Sequence, residues 1–509
     1  MKKVQKLTLM ILMMMLVFSG CEQLTAPSVS QPETGVDHGN AKIVEEDGGP
    51  SQGGIINLFM ITPDTLNPLT TRNQTVRQMA SFVFDTLFME DSEGRVKDGL
   101  VDRYTLSDDG LILDITLKDN VYFHDGQALS AEDVAFSVGL IQSAGNRSFY
   151  YDYVKGIESV KIITRLGLRI VLSKADTEIL NKLTFPIVPQ HVFENWPMEG
   201  HSDSLTLIGS GPFVYKSYQD NAIILERNNA WWYVDAPNGL GHPIWLDGIV
   251  FKVYPDESYM MEAFHKKEID IASDEITYME GFSQRTDIYF KPYEGNTLEF
   301  LALSPVGKDN SPIAQVDFRQ ILIDYLWGYD DLIPSQLGKL VIPEGTSEMG
   351  SSRGATLAAL TEAGFTYDQE KNVLTYQKNG IRIPVTLTLR YNNVSDERKG
   401  IGQRMANALF EIGITLKVEA GTQAELQTLA ASGRYDMMLM GCRIPEYTDV
   451  SGALKLVREA LGMGEKAFTI MPLYRKYSAV LYQKTLRGLR EPTWKNIYNG
   501  WTEWYLMQN

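Results

Sequence analysis

Apolar and polar residues along this chain recur at two characteristic spacings, and together they predict a mixed α/β protein. Residues 55–61 are rich in branched and apolar side chains and read as a strand, followed by the turn cluster Asp64-Thr65-Leu66-Asn67-Pro68. Residues 76–89 carry apolar positions at helical spacing, whereas 111–117 alternate as a half-buried strand does. Residues 130–142 read as a helix opened by Ser130, with Glu132 and Asp133 in the first turn, where the helix dipole favours acids. Strands are expected at 160–163, 168–172, 222–225 and 249–254. Helices are expected at 259–267, 318–326 and 355–363, the last stopped by Gly364. A strand at 385–391, a helix at 400–412 closed by Gly413 and a strand at 414–419 follow. No internal repeat interrupts this order, and mixed elements of this kind suggest α/β domains.

The first residues do not fit that pattern. Lys2, Lys3 and Lys6 precede an apolar run from Leu7 to Phe18, and Phe18-Ser19-Gly20-Cys21 closes it with small residues before a cysteine. Those 12 apolar residues are too few to cross a hydrocarbon core of about 30 Å as a helix. They read as a signal peptide, residues 1–20, with Cys21 as the lipid attachment site of an exported lipoprotein. Residues 22–53 are polar and rich in Pro, Gly and Ser, and bury too little apolar surface to order themselves. They read as a flexible tether with a span of order 30 Å. No later stretch reaches 18 consecutive apolar residues.

Composition narrows the function classes. With 509 residues, the chain exceeds the roughly 250–300 that one core supports, so two or more domains are expected. A net charge of -17 opposes binding to nucleic acid or to an anionic membrane surface. Only Cys21 and Cys442 are present; a lipidated Cys21 leaves Cys442 without an intrachain partner, so stability must come from core size.

The sequence holds no Gly-x-Ser-x-Gly, His-Glu-x-x-His, P-loop or Cys-x-x-Cys motif. Its six histidines are scattered, with no two at metal-ligand spacing, and no metal or other cofactor is expected. His124 in Phe123-His124-Asp125-Gly126 reads as a residue packed at the edge of an Asp-Gly turn. A glycosidase would need one particular pair among the 64 acidic residues, and nothing singles out two of them. Aromatic clusters stand out instead: Phe149-Tyr150-Tyr151-Asp152-Tyr153, Trp231-Trp232-Tyr233, and Trp494 with Trp501-Thr502-Glu503-Trp504-Tyr505. The Trp-rich clusters are expected to pack in the core.

Several segments, taken in order from about 55 to 505, resemble the extracellular solute-binding protein family 5, the peptide- and nickel-binding components of ABC importers. They begin with Asp64 to Pro68, Asp98-Gly99-Leu100, and 117–137 with its Phe123-His124-Asp125-Gly126 and Ala131-Glu132-Asp133-Val134. Gly209-Ser210-Gly211-Pro212-Phe213 and Glu226-Arg227-Asn228-Asn229 before Trp231-Trp232 follow. Glu268-Ile269-Asp270, Phe318-Arg319-Gln320, Ala363-Gly364-Phe365, Ile412-Gly413-Ile414 and Arg434-Tyr435-Asp436 complete the series.

The resemblance implies a two-lobed, type II periplasmic-binding-protein-like α/β fold with an extra subdomain, at about 70–205, in the first lobe. Lobe one would comprise 54–272 and the return from 475 to 509, and lobe two 273–474, the lobes closing on a ligand. It also implies ligand contacts from Thr71, Arg72, Asn73 and Gln74, from Tyr150 and Tyr151, and from Tyr391 and Asn392. In peptide-binding members a Gly-Trp and then an Asp-Tyr follow the strand after Tyr-Asp, and that aspartate pairs with the peptide ammonium. Here the stretch reads Gly441-Cys442-Arg443-Ile444-Pro445-Glu446-Tyr447, so Cys442 replaces the aromatic and Glu446 the aspartate, with Asp449 as an alternative charge partner. Arg443 and Tyr447 complete the expected set, and Arg72 or Arg443 could receive a carboxylate in bidentate fashion.

The expected function is therefore an exported substrate-binding lipoprotein, not an enzyme, anchored to the outer face of the cytoplasmic membrane or periplasmic. It would act as a monomer, delivering oligopeptides to ABC permease subunits. The alternatives are a metal chelate, haem or oligosaccharide as ligand, a peptide-sensing receptor, or an exported carboxylate hydrolase.

Overall fold

A computed structural model describes residues 49–90, 95–196, 207–233, 243–275, 281–308, 311–334, 350–446, 448–463 and 469–507. The chain divides into two compact units: Gly48–Glu294 with Ser478–Asn509, and Gly295–Tyr477. The passages between units fall at 294/295 and 477/478, later than the 272/273 and 474/475 expected from the resemblance.

The longer strands of the first unit are β1 (Ile55–Ile61), β2 (Val101–Leu106), β3 (Ile112–Leu117), β4 (Ile157–Thr164), β5 (Gly167–Leu172), β6 (Phe213–Gln219), β7 (Ala222–Arg227) and β8 (Gly248–Tyr254). One sheet has the order β1-β8-β7-β6, with β1 parallel to β8 from Ile55 against Gly248 to Ile61 against Tyr254. The other is an antiparallel sheet in the order β2-β3-β5-β4. Its strands β3 and β5 bury every second side chain, as their alternation predicts. Helix α1 spans Gln74–Val83 and α2 spans Ala131–Ala144. Ser130 and Asp133 form a capping box at α2, and the second Asp133 oxygen accepts the Gln190 amide at 2.9 Å.

The helix expected to reach Met89 ends at Val83. Beyond it Phe84 turns extended, with φ -122 and ψ 140, and Phe88–Glu90 becomes a short strand paired with Val96–Asp98. The cause is Asp85, whose buried carboxylate accepts from Ser210 Oγ (2.9 Å), Trp231 Nε1 (3.2 Å) and Trp232 Nε1 (2.9 Å). A helical continuation would carry Asp85 away from these donors. Burial pushes its carboxyl up to about 6, against the pull of the three donors and of Lys118. Gly209 and Gly211 permit the approach, because a Cβ on Gly209 would stand 2.0 Å from the Val83 carbonyl oxygen. His124 braces the same loop: its Nδ1 accepts the Gly209 amide, so the protonated Nε2 donates to the Gly211 carbonyl. The Trp231-Trp232 and Trp501–Tyr505 clusters are accordingly core elements, with Trp501 packed against Phe82, Phe213 and Trp231.

In the second unit α3 (Val316–Trp327), α4 (Arg353–Glu362), α5 (Asp396–Glu411), α6 (Gln423–Ser432) and α7 (Val450–Ala460) accompany a larger sheet. Its strands are β10 (Ile288–Leu303), β11 (Thr386–Asn392), β12 (Thr415–Gly421), β13 (Met437–Arg443) and β14 (Ile470–Gln483), and β9 (Ile271–Glu275) belongs to the first unit. Within the unit the order is β14-β10-β13-β11-β12, and β11 is parallel to both β12 and β13. The chain passes between units inside β10 and β14; in the first unit, β9 pairs with residues 478–482 of β14.

Leu301 and Leu303 of β10, Phe318 and Leu322 of α3, Leu387 and Leu389 of β11, and Met405 and Leu409 of α5 meet in one core. Each such side chain contributes about 1.5–3 kcal/mol by leaving water. α5 begins four residues before the expected Gly400, at Asp396, because Ser395 accepts the Arg398 amide as N-cap. It stops where Gly413 adopts φ +79, a position where a Cβ would meet Leu374 N at 2.6 Å. No helix among the described residues is long and apolar enough to cross a membrane.

Candidate functional site

The expected ligand residues fall into two groups, one in each unit. In the first unit the group is built around Asp64. Its Oδ1 accepts from Thr71 Oγ1 (2.5 Å) and the Thr65 amide (2.9 Å), and its Oδ2 accepts the Arg72 amide (2.9 Å). Burial pushes the Asp64 carboxyl up, but these donors outweigh it and hold the group below the usual carboxylate range. Asn67 continues the loop, its main-chain oxygen accepting the Thr70 and Thr71 amides. Asn73 ends it as the N-cap of α1: it accepts the Thr75 amide at 2.9 Å, while its Nδ2 donates to the Ile61 and Thr62 carbonyls. Thr71 is buried by this arrangement, whereas Arg72 and Gln74 are exposed.

The aromatic segment is fastened to this loop. Ser148 Oγ donates to the Leu69 carbonyl, and Arg72 Nη1 donates to the Asn146 carbonyl at 2.7 Å. The Arg77 guanidinium lies 3.6 Å from the Phe149 ring centroid while its Nη1 donates to the Arg72 carbonyl at 2.9 Å. Tyr150 is buried, edge-on to Phe149 and Tyr153 at 5.3 Å each. Tyr151 is the partly exposed member of the pair.

In the second unit the group lies at the carboxyl ends of parallel strands, where open α/β sheets bind ligands. Asn392, Gly421 and Arg443 end β11, β12 and β13, and each strand leads into a helix capped by a side chain. Thr422 caps α6 together with Glu425, and Asp449 caps α7 by accepting the Gly452 amide at 2.8 Å. Asn392 Nδ2 donates to Gln423 Oε1 at 3.0 Å and its Oδ1 accepts the Val394 amide, so both groups of that amide are committed. That leaves Gln423 Nε2 buried without a partner among the described residues.

Tyr391 and Cys442 are buried, and burial followed by the nearby Glu299 charge pushes the Cys442 thiol up to about 12. Such a thiol stays protonated and is a poor nucleophile. Arg443 is exposed and Glu446 partly buried; Tyr447, like Cys21, lies outside the described residues.

Beneath this edge sits a charge network that sequence reading missed. Arg398 Nε and Nη2 donate to the two Glu299 carboxylate oxygens at 2.8 and 2.9 Å, in a buried bidentate pair. Gly441 lies against it, for a Cβ there would stand 2.7 Å from both Arg398 Nη2 and Glu299 Oε1. Glu397 meets Lys476 at 3.2 Å and the Tyr474 hydroxyl at 3.5 Å. Arg475 closes the group, donating from Nε and Nη2 to the Gly295 carbonyl at 3.0 and 2.8 Å. Among the described residues, no three His, Cys, Asp or Glu side chains gather closely enough to hold a metal ion.

An α/β chain of two compact units, traversed by two long strands and offering polar loops at sheet ends, has the architecture of a solute-binding protein. The chain belongs to the bacterial extracellular solute-binding proteins, family 5: the profile "Bacterial extracellular solute-binding proteins, family 5 Middle" matches residues 95–462. It is 28% identical over 245 residues to the oligopeptide-binding protein AppA of Bacillus subtilis, a match covering 44% of this chain and 41% of that one. It is 25% identical over 406 residues to the nickel-binding periplasmic protein of Escherichia coli, covering 75% of this chain and 74% of the relative. The match to AppA thus spans less than half of that relative's length. In fold, the crystal structure of the ABC transporter substrate-binding protein CtaP from Listeria monocytogenes is similar, with a TM-score of 0.63 at 19% identity. That likeness covers 90% of this chain and all of that one.

Proposed function

We propose that this chain is the substrate-binding component of an ABC importer and that it captures oligopeptides. Exported and tethered through a lipidated Cys21, it would act as a monomer outside the cytoplasmic membrane and hand its ligand unchanged to permease subunits. The observation that carries the reading is family membership over residues 95–462. The oligopeptide part is supported by the name of the AppA relative and by the charges on the two candidate groups. A zwitterionic chain needs both signs, and the exposed Arg72 and Arg443 and the partly buried Glu446 supply them. Main-chain recognition with loosely filled side-chain pockets suits peptides of varied sequence.

A second reading, capture of a metal chelate, is supported by the longer match to the nickel-binding relative. Native mass spectrometry of the full chain purified in detergent from its own host decides between them. A co-purified peptide supports the first reading, and a bound metal with an organic chelator supports the second. A chain that never carries or acquires a small solute contradicts both.

A further inference from the structure

We propose that Tyr259 carries the open face of an aromatic platform in the first unit, and that a captured peptide lays an aromatic side chain on it. This rests on the oligopeptide reading above and names a specificity residue for it.

The platform is a stack of three rings. Phe59 of β1 is buried and lies nearly parallel to Tyr254, the last residue of β8, with 5.1 Å between ring centroids and 6° between planes. Tyr254 in turn lies against Tyr259, at 6.2 Å and 21°. The Tyr254 hydroxyl donates to Glu268 Oε2 at 2.8 Å, which fixes the middle ring. Tyr259 is brought back over it by a short helical turn, Glu257–Tyr259, whose cap Asp256 accepts the Ser258 amide at 2.9 Å. Tyr259 is 43% exposed. Among the described residues its hydroxyl has no hydrogen-bond partner, and no ring other than Tyr254 lies against it.

The stack stands on the strand ends that carry the Asp64 loop. Ile61 and Tyr254 are the last pair of the parallel strands β1 and β8. The Tyr254 carbonyl accepts the Thr62 amide at 2.8 Å and Thr62 Oγ1 at 3.1 Å, and the Thr62 carbonyl accepts Asn73 Nδ2 at 3.2 Å. The carboxyl ends of parallel strands are where open α/β sheets take their ligands.

An exposed ring is ordinary on a protein surface, so exposure alone assigns nothing. The other near-parallel pairs among the described residues, Phe193 with Trp196 and Phe318 with Phe365, are buried in both members. Of the other exposed rings, Tyr104 stands edge-on to Phe88, and Tyr122 and Phe410 rest on no described ring. Tyr259 alone joins a parallel stack beneath it to an exposed ring above, and the stack runs from the core to the loop-bearing edge. Its face suits a further offset ring, which among peptide side chains means an aromatic one. Because the stack already restrains Tyr259, a ligand ring that docks there orders less of the protein than one meeting a free side chain.

The test titrates the full chain calorimetrically with hexapeptides of neutral residues that carry phenylalanine, leucine or alanine at each position in turn. The unsubstituted chain is expected to prefer phenylalanine at one position or more. Tyr259→Ala is expected to weaken that phenylalanine peptide by about 3–10-fold, the range for an aromatic pair. The affinity of the alanine peptide and the thermal midpoint should not move. Tyr259→Phe should keep the preference, and Tyr259→Leu, which keeps apolar bulk without the ring, should recover only part of it. Peptide binding with no preference for phenylalanine overturns the proposal. So does a preference that survives Tyr259→Ala, or an equal loss for phenylalanine and alanine peptides. Failure of the unsubstituted chain to bind any peptide overturns the oligopeptide reading and this inference with it.

Discussion

The Arg398 guanidinium grips the Glu299 carboxylate through two hydrogen bonds of 2.8 and 2.9 Å, with only 9% and 2% of the two side chains left exposed. Burial disfavours the Arg398 charge, but Glu299 outweighs it and raises its proton affinity. A buried pair of this kind adds little net stability, yet removing one partner strands the other in a poor solvent. Glu299→Ala or Arg398→Ala should each cost about 3–5 kcal/mol in denaturant unfolding. Glu299→Leu combined with Arg398→Leu should cost clearly less than the sum of the single changes. Additive losses would contradict the pairing.

Asp85 makes stability depend on pH in the opposite sense to a surface-paired carboxylate. Its folded-state value of about 6 lies above the ordinary carboxylate value of 3.8, so the folded protein binds the proton more tightly than the unfolded chain does. The associated stability is therefore fully present below about 3.8 and is lost as pH rises through about 6, an effect of order 3 kcal/mol. Calorimetric melting at pH 7 and pH 5 checks this. The stability of the unsubstituted protein relative to Asp85→Asn should rise on acidification. A difference that stays constant or shrinks would contradict the assignment.

Glu446 is proposed to neutralise the ligand ammonium. Glu446→Ala should weaken peptides with a free amino terminus by roughly tenfold or more, and leave N-acetylated peptides unaffected. Isothermal titration with matched free and acetylated peptides provides the comparison. Unchanged affinity in both series would shift the role to another acid, with Asp449, whose Oδ1 caps α7, as the alternative.

Anchoring through Cys21 predicts a membrane-bound mature chain that begins at that cysteine and carries lipid. Cys21→Ser should appear in the soluble extracytoplasmic fraction. Retention of the substituted chain in membranes, with no acyl mass on the unsubstituted protein, would contradict the anchor.

Much of the local structure was legible because burial follows spacing. The strand at 55–61 and the helix after Ser130 come directly from apolar periodicity and cap chemistry. The overlong helix at 76–89 shows the limit. Val83 and Phe84 keep the apolar pattern going, and the break is imposed by donors at Ser210, Trp231 and Trp232, which lie 125 to 147 positions away. The ion pair of Glu299 with Arg398, separated by 99 positions, leaves no local trace for the same reason. In the candidate groups, residue type suggested contact but could not assign exposure: Tyr150 and Cys442 are buried, while Arg72, Gln74 and Arg443 are exposed. The role of Asp64 was within reach, since an Asp-Thr turn before Asn-Pro is where a carboxylate organises backbone amides.

Reversible capture of an oligopeptide is tested most directly by what the chain retains. The full chain is incubated with a defined mixture of tri- to hexapeptides, freed of unbound material, denatured, and its released ligands weighed and counted by mass spectrometry. About one peptide per chain is expected, recovered intact. Recovery of no peptide, or of hydrolysed fragments that accumulate with time, would contradict it.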